Sequence, residues 1–340
     1  METSQLALWI VVLLVLVALA FDFMNGFHDA ANSIATVVST GVLKPHHAVM
    51  LAAFFNVVAI FVFHLNVATT VGRGIVDQGI IDHYVVFGAL VGAIIWNILT
   101  WYYGIPSSSS HALIGGIVGA SVAKAGTWAL IPAGILKVVA FIFISPLIGF
   151  LLGSLMMLAI SWMFVRSTPS RVDRLFRRLQ LVSSSMYSLG HGGNDAQKTI
   201  GIIWMLLVAA GYLGAKESSP PYWVVIACYV AIGLGTMFGG WRIVKTMGQR
   251  ITKIRPVGGF CAELSGSVAL FLATALGIPV STTHTITGSI VGVGAAQNVS
   301  AVRWGVAGNL LWAWILTIPC SAFVAGVAWY LGRLLMAPAG

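Results

Sequence analysis

Gly104-Ile105-Pro106-Ser107-Ser108-Ser109-Ser110-His111 returns in the second half of the chain as Gly277-Ile278-Pro279-Val280-Ser281-Thr282-Thr283-His284. Both copies lie between apolar stretches long enough to be buried in lipid, and a hydroxyl cluster repeated at membrane depth marks a solute path. Each copy has an upstream partner, Asn25-Gly26-Phe27-His28-Asp29-Ala30 in the first half and His191-Gly192-Gly193-Asn194-Asp195-Ala196 in the second. The chain reads as a tandem duplication in which each half supplies one Asp motif and one Ser/Thr motif.

A chain of 340 residues that is 59% hydrophobic and 8% charged, with a mean hydropathy of +0.95, has too little polar surface to cover a soluble globule. It reads as an all-α integral membrane protein. Apolar runs near 6–24, 46–63, 85–103, 128–164, 199–214, 222–240, 258–276 and 304–331 can cross about 30 Å of hydrocarbon at about 20 residues each. They are continuous rather than alternating, which favours helices over a barrel. Cys228, Cys261 and Cys320 stand singly, without metal or redox spacing, and are expected to pack as small hydrophobes. The first run lacks the basic start of a signal peptide and continues into the Asp29 motif, so it is expected to be a retained helix.

The net charge of +9 does not point to nucleic acid, because ten of the eighteen Lys and Arg fall in two short stretches. These are Arg166, Arg171, Arg174, Arg177 and Arg178, then Arg242, Lys245, Arg250, Lys253 and Arg255. The positive-inside rule places such connectors in the cytoplasm. Two crossings, 180–214 and 222–240, separate them, so both can lie on one side. Five precede the first: 6–40 as one broken helix, 46–63, 85–104, a Ser-tipped segment 107–124, and 128–164, which is long for one span and contains Pro132 and Pro146. The odd count puts the N-terminus outside, in keeping with Glu2 as the only charge before Asp22. It also makes the two halves enter the membrane from opposite faces. The expected architecture is two inverted-topology repeats with broken or re-entrant helices, about 10 to 12 membrane segments in all, and a substrate site at the repeat interface near the midplane. Residues 1–165 form the first repeat, 166–178 the basic linker and 179–340 the second.

Gly-Ile-Pro followed by small hydroxylated residues breaks a helix, since Pro removes a donor and Gly is flexible. Ser107, Ser108, Ser109 and Ser110, and Ser281, Thr282 and Thr283, then occupy the cap and first turn of new helices at Ala112 and Thr285. Free N–H groups and the positive dipole end attract anions there. Two such ends facing each other form an anion cradle. Asp29, Asp195 and Glu263 lie in otherwise apolar or small-residue segments, and at membrane depth a carboxylate costs about 2.5–3.5 kcal/mol even on the translocon scale. Three carboxylates beside a divalent anion call for positive charge that arrives with the substrate, so the charge balance implies cation-coupled symport. Asn25, Asn32, Asn194 and Gln197 can hydrogen-bond around such a mixed site. Lys198 shares a helical face with Asp195, as a structural partner or as a direct contact to the anion. His28, His111 and His284 are candidates for binding a proton.

From Phe21 to about Leu331 the chain resembles the inorganic phosphate transporter family known as Pit or PiT. The resemblance rests on Gly26-Phe27-His28-Asp29-Ala30-Ala31-Asn32 and Gly193-Asn194-Asp195-Ala196-Gln197-Lys198, each followed by its Pro-Ser/Thr-His phrase. It implies an inverted-repeat transporter of phosphate with a coupling cation, and no resident cofactor. Carried over to this sequence, Ser107, Ser108, Ser109, Ser110, Ser281, Thr282, Thr283 and Asn194 would hold phosphate. Asp29, Asn32, Asp195, Glu263 and Asn25 would serve the cation. The commoner first signature reads Gly-Ala-Asn-Asp where this chain has Gly26-Phe27-His28-Asp29, and Asn56 stands where sodium-coupled relatives usually have Glu. Both departures resemble the bacterial low-affinity branch, which takes up phosphate with protons, as a neutral metal–phosphate complex. Sodium is the alternative coupling ion, and the identity of any metal is left open. The implied location is the cell (inner) membrane, with a homodimer as a candidate assembly.

Three other readings compete: a sulfate symporter of the same family, an anion channel, and an intramembrane hydrolase using Ser110, His111 and Asp29. The last lacks a strained nucleophile turn in the sequence. The topology is directly testable, since both basic stretches are expected in the cytoplasm and both termini outside. Single cysteines labelled from each side should react accordingly, and a tag at position 2 that is reached from the cytoplasm would overturn the inverted repeat.

Overall fold

The computed structural model describes residues 6–214, 217 and 219–336; Glu2, used in the topology argument, lies outside them. Among the described residues the chain forms twelve α-helices and no strand beyond one isolated bridge, Val76 to Leu130. The first half runs α1 (Leu8–Ser39), α2 (Pro45–Val58), α3 (Asn66–Arg73), α4 (His83–Tyr103), α5 (Ser109–Ala125) and α6 (Pro132–Met163). The second runs α7 (Pro169–Ala209), α8 (Tyr222–Phe238), α9 (Trp241–Lys245), α10 (Pro256–Ala275), α11 (Thr282–Gln297) and α12 (Trp304–Met336). Proline at the first turn of α2, α6, α7 and α10 starts each of these helices where its missing N–H costs nothing.

The two halves match element by element. Each opens on a long helix carrying the Asp motif, α1 or α7. Each continues with a broken helix: α2 meets α3 at 83°, and α8 meets the helical stretch Trp241–Arg250 at 62°. Each then forms a hairpin, α4/α5 or α10/α11, and closes on a long helix with an internal proline, Pro146 in α6 or Pro319 in α12. The hairpin arms α5 and α11, of 17 and 16 residues, reach only about 25 Å at 1.5 Å per residue and cannot span a bilayer.

Contacts at the helix ends fix the inversion. On one face Leu6 N donates to Ala210 O (3.4 Å), Arg73 to Glu217 O (2.5 Å), Ile131 N to Ile75 O (3.0 Å) and Tyr330 to Ala123 O (3.5 Å). On the other, Arg177 donates to Gly41 O (3.1 Å) and Arg303 N to Ile251 O (3.0 Å). The α4/α5 hairpin enters from and returns to the first face, and the α10/α11 hairpin the second. Both basic stretches reach the second face, and both ends of the described chain lie at the first.

Three expectations are corrected. The stretch 6–40 is one unbroken helix of 32 residues, because small residues and not Gly-Pro surround its Asp motif. The Ser-tipped segment 107–124 is a hairpin arm and not a crossing; since α4 reverses with it, parity is preserved. The basic stretches are largely helical: α7 begins at Pro169, with Asp173 and Arg177 paired at 2.8 Å one turn apart, and Arg242 lies in α9. The Arg242 guanidinium donates to Tyr102 O below the first hairpin tip and stands 5.5 Å from the Trp101 ring. The long stretch 128–164 resolves as a single helix despite Pro146.

Two apolar cores sandwich a polar layer. One includes Phe21, Leu113, Ile117 and Ala196; the other Ala31, Tyr187, Val280 and Ile286. On α1 and α7 the polar residues between them, 22–29 and 188–195, mark the layer's depth. The hairpins are exchanged between halves: α5 packs on α12, and α11 on α6. Gly119 and Gly292 make this possible, since a Cβ there would sit 2.0 Å from Ala322 O and 2.2 Å from Phe150 O. This is the small-residue packing that membrane helices use to bring backbones together. Gly119→Ala and Gly292→Ala should each cost about 1–3 kcal/mol by overpacking, read as a lower melting temperature in detergent, while Gly305→Ala, with open space around it, should leave the melting temperature unchanged.

Candidate functional site

Each hairpin tip is built the same way. The first arm ends at a glycine in the left-handed region, Gly104 (φ 67°) or Gly277 (φ 65°), a conformation that costs glycine little. Ser108 and Ser281 cap the second arms, accepting from His111 N and His284 N at 3.2 Å. The helices thus begin three residues earlier than Ala112 and Thr285. Each tip is braced by the other half's broken helix, Thr246 donating to Gly104 O (2.8 Å) and Thr70 to Gly277 O (2.7 Å).

The two tips meet in the polar layer between the two apolar cores. The rings of His111 and His284 are 4.8 Å apart, and His284 stacks on Trp314 at 4.0 Å. Lys198 bridges the tips, donating to Ser110 Oγ and to Val280 O (2.9 Å), and pairs with Asp195 Oδ1 at 2.5 Å. The expected pairing of Lys198 with Asp195 forms, and its ammonium also reaches both tips. Thr282 donates to Asp195 Oδ2 (3.1 Å), and Asn32 donates to Thr282 (3.2 Å) and Thr283 (2.9 Å). Ser109 Oγ has no partner. Ser107, Ser108, Ser109, Ser110, Ser281, Thr282 and Thr283 are all at most 2% exposed, so the site is occluded from both faces.

Asp29 belongs to a chain of contacts on the first hairpin. Its Oδ1 lies 2.6 Å from His28 Nδ1, His28 Nε2 lies 3.0 Å from Thr100 Oγ1, and Ser107 donates to Thr100 (2.9 Å). Asn194, at the place matching His28, donates to Thr274 (3.0 Å) and Ile278 O (3.2 Å), pinning the second hairpin and leaving its Oδ1 without a partner. His191 is one helical turn before Asp195, with Nε2 at 3.2 Å from Asp195 Oδ2. Asp29, His191 and Asp195 each bring a ligand atom within 4.8 Å of the others.

Of the residues assigned to the cation from the sequence, Glu263 has its own set of partners and Asn25 lies one helical turn before Asp29 on α1. Glu263 accepts from Thr36 (2.5 Å), Ser183 (2.5 Å) and Gln180 (3.0 Å). Thr36 is seven residues beyond Asp29 on α1, about 10 Å along the helix. Asn25 is one turn from Asp22, which accepts from Thr199 (2.9 Å), and Asn25 Oδ1 has no partner. The sequence reading gave no role to His191, Gln180, Ser183, Thr36 or Thr100. The four-residue spacing of His191 and Asp195 was the available signal for the first of these. The Ser110–His111–Asp29 relay does not form: His111 has no ring hydrogen bond, Ser110 meets Lys198, and Asp29 meets His28.

Residues 25–325 match the model of the phosphate transporter family. A probable low-affinity inorganic phosphate transporter of Rhizobium meliloti (strain 1021) is 60% identical over 332 residues, 98% of this chain and 99% of the relative. One of the same description from Bacillus subtilis (strain 168) is 47% identical, over 97% of this chain and 99% of the relative. A solved structure described as the sodium-dependent phosphate transporter shares the fold, with a TM-score of 0.88 over 97% of this chain and 100% of that one, at 23% identity.

The tips predict unequal effects. Ser109→Ala removes a hydroxyl with no internal partner, so the melting temperature without ligand should hold, while phosphate, the ligand expected from the sequence, should bind about 10- to 150-fold more weakly, the worth of one hydrogen bond to a charged group. Thr282→Ala, which severs contacts to Asp195 and Asn32, should lower both. Calorimetric titration with phosphate and a parallel thermal melt check this, and wild-type affinity in both variants would mean the cradle is misassigned.

Proposed function

The chain belongs to the phosphate transporter family, and we infer that it carries inorganic phosphate by cation-coupled symport, with Lys198 and the two hairpin tips holding the anion and the Asp29 and Asp195 region holding the cation. The family is one of transporters, which sets aside the hydrolase reading. The observation that carries the site assignment is the Lys198 bridge, which ties Ser110 and Val280 of opposite hairpins to Asp195. Two helix N-termini, the free hydroxyl of Ser109 and one buried ammonium converge there, a donor set suited to a small anion.

Charge sets the need for coupling. Asp29, Asp195 and a phosphate dianion carry four negative charges, against one from Lys198 and about half a charge from each helix end. The deficit of about two is met by protons, by sodium or by one divalent metal ion travelling with phosphate. Hydrogen-bond accounting favours a proton held between His28 and Asp29. The Thr100 hydroxyl donates to Trp96 O (2.9 Å), so Thr100 accepts from both Ser107 and His28 Nε2. With Nε2 carrying a hydrogen, the 2.6 Å contact between His28 Nδ1 and Asp29 Oδ1 needs a further proton on one of the two atoms. Imidazole nitrogens beside both carboxylates also suit protons and transition metals better than sodium.

Inverted repeats support alternating access about the buried site. A cavity of about 700 Å³ lined by Thr40, Arg177 and Arg255 opens on the basic face. Thr40 donates to Gln180 (2.9 Å), which in turn donates to Glu263, so the Glu263 cluster closes the way from this cavity to the tips and serves as the inner gate. By the positive-inside rule this face is cytoplasmic and the termini are outside, and the family resemblance supports the cell (inner) membrane as the location. Both halves of the path lie in one chain, so each copy in a homodimer would carry its own.

In proteoliposomes, Asp29→Asn and Asp195→Asn should fold and abolish uphill phosphate accumulation, because charge is removed while shape is kept. Dissipating the pH gradient should lower wild-type uptake. Normal accumulation by either variant would remove the carboxylates from the cation's path, and an absolute sodium requirement would replace the proton.

A further inference from the structure

The cavity of about 700 Å³ on the basic face lies where the last turns of α1 and α6 meet the first turns of α7 and α10. Two helix starts and two helix ends converge there, so their dipoles roughly cancel and side chains set the sign of the site. Asp173, the one carboxylate on the wall, is taken by Arg177 at 2.8 Å. Arg255, also on the wall, is exposed, and among the described residues its side chain has no ion pair or hydrogen bond. Arg171, Arg174 and Arg178 are equally unpaired and exposed, and their spacing of three and four residues puts them on one face of α7. The hydroxyls of Ser167 and Ser170, which line the same cavity, have no partner among the described residues. The site therefore offers a guanidinium and two hydroxyl donors without an anion to receive them.

The rest of the wall is apolar, built from Met157, Ile160, Phe164, Val172, Ile254 and Val257. Where α6 ends beside it, Trp162, Met163 and Val165 are 81%, 76% and 75% exposed. Leu151, Leu155, Leu158 and Trp162 follow one another at four, three and four residues, all facing outward, so an apolar stripe runs down α6 to the cavity. A soluble anion would use the cations and leave the apolar wall bare. An amphiphile with a phosphate headgroup uses both, and basic pockets between membrane helices on the cytoplasmic side are suited to anionic headgroups.

We propose that this cavity seats the headgroup phosphate of an anionic phospholipid from the leaflet on the basic face, with Arg255 as its cationic contact and an acyl chain along the outward stripe of α6. The seat does not depend on what the protein carries. Thr40 also lines the cavity and donates to Gln180 (2.9 Å), a partner of Glu263. The headgroup would thus sit against the outermost contact of the Glu263 cluster.

Delipidated full-length protein in a zwitterionic detergent is titrated with short-chain phosphatidylglycerol and followed by intact-mass spectrometry. One lipid should bind per chain, and phosphatidylcholine at least about fivefold more weakly. Arg255→Gln should weaken phosphatidylglycerol about fivefold, the worth of one basic residue beside an anionic headgroup. Arg255→Lys keeps the charge and should bind as wild type does, and Lys137→Gln, which removes a charge near the opposite end of α6, should change nothing. Inorganic phosphate and glycerol 3-phosphate in excess should leave the lipid bound, since neither has an acyl chain. Displacement by either would make the cavity a seat for soluble phosphate compounds and overturn the proposal. So would equal binding of the two lipids, unchanged binding by Arg255→Gln, an Arg255→Lys variant as weak as Arg255→Gln, or no stoichiometric lipid on the wild type.

Discussion

Two helix N-termini that face each other in the middle of a bilayer repel, and Lys198 between them adds to the repulsion. Asp195 offsets it from within the same cluster, reaching Lys198 through one oxygen and Thr282 through the other. Other contacts come from Asn32 and from the broken helices that hold each tip at its glycine. Among the described residues Ser109 Oγ and the ring nitrogens of His111 and His284, all at the tips, have no hydrogen-bond partner. An anion there would be attracted to the same positive ends that otherwise repel each other.

The inverted repeat distributes this burden unevenly. Asn32 and Lys198 occupy matching places three residues after Asp29 and Asp195, and both reach across to a hairpin tip. His28 and Asn194 match as well, and each bonds to a threonine on a hairpin's first arm. Duplication supplied the geometry, and the pairs differ in chemistry, with the Lys198 ammonium opposite the Asn32 amide and the His28 imidazole opposite the Asn194 amide.

The duplicated motifs and apolar runs were enough to read the helical class, the inversion and the pairing of Ser/Thr tips. Helix continuity was harder. The Asp motif at 25–32 is rich in small and polar residues, which resembles a break in one dimension, yet α1 runs unbroken from Leu8 to Ser39. Whether a segment crosses or returns depends on where its ends go, and nothing local in 107–124 states that. Glu263 stood out as a buried carboxylate, but its distance from Asp29 is set by the register of α10 against α1 and α7, a tertiary quantity. His191 was in plain view within a quoted motif; its neighbour Asn56, 135 positions away, is what gives its nitrogen a direction.

The exchange of hairpin arms has a mechanical consequence. Because α5 lies on α12 and α11 on α6 at backbone contact distance, neither half can swing as a block without tearing the other's packing. Motion is left to the hairpin tips, the broken helices that brace them and the Glu263 cluster. A carrier confined in this way changes its lateral footprint little over a cycle, so bilayer thickness and lateral pressure should bear only weakly on its turnover.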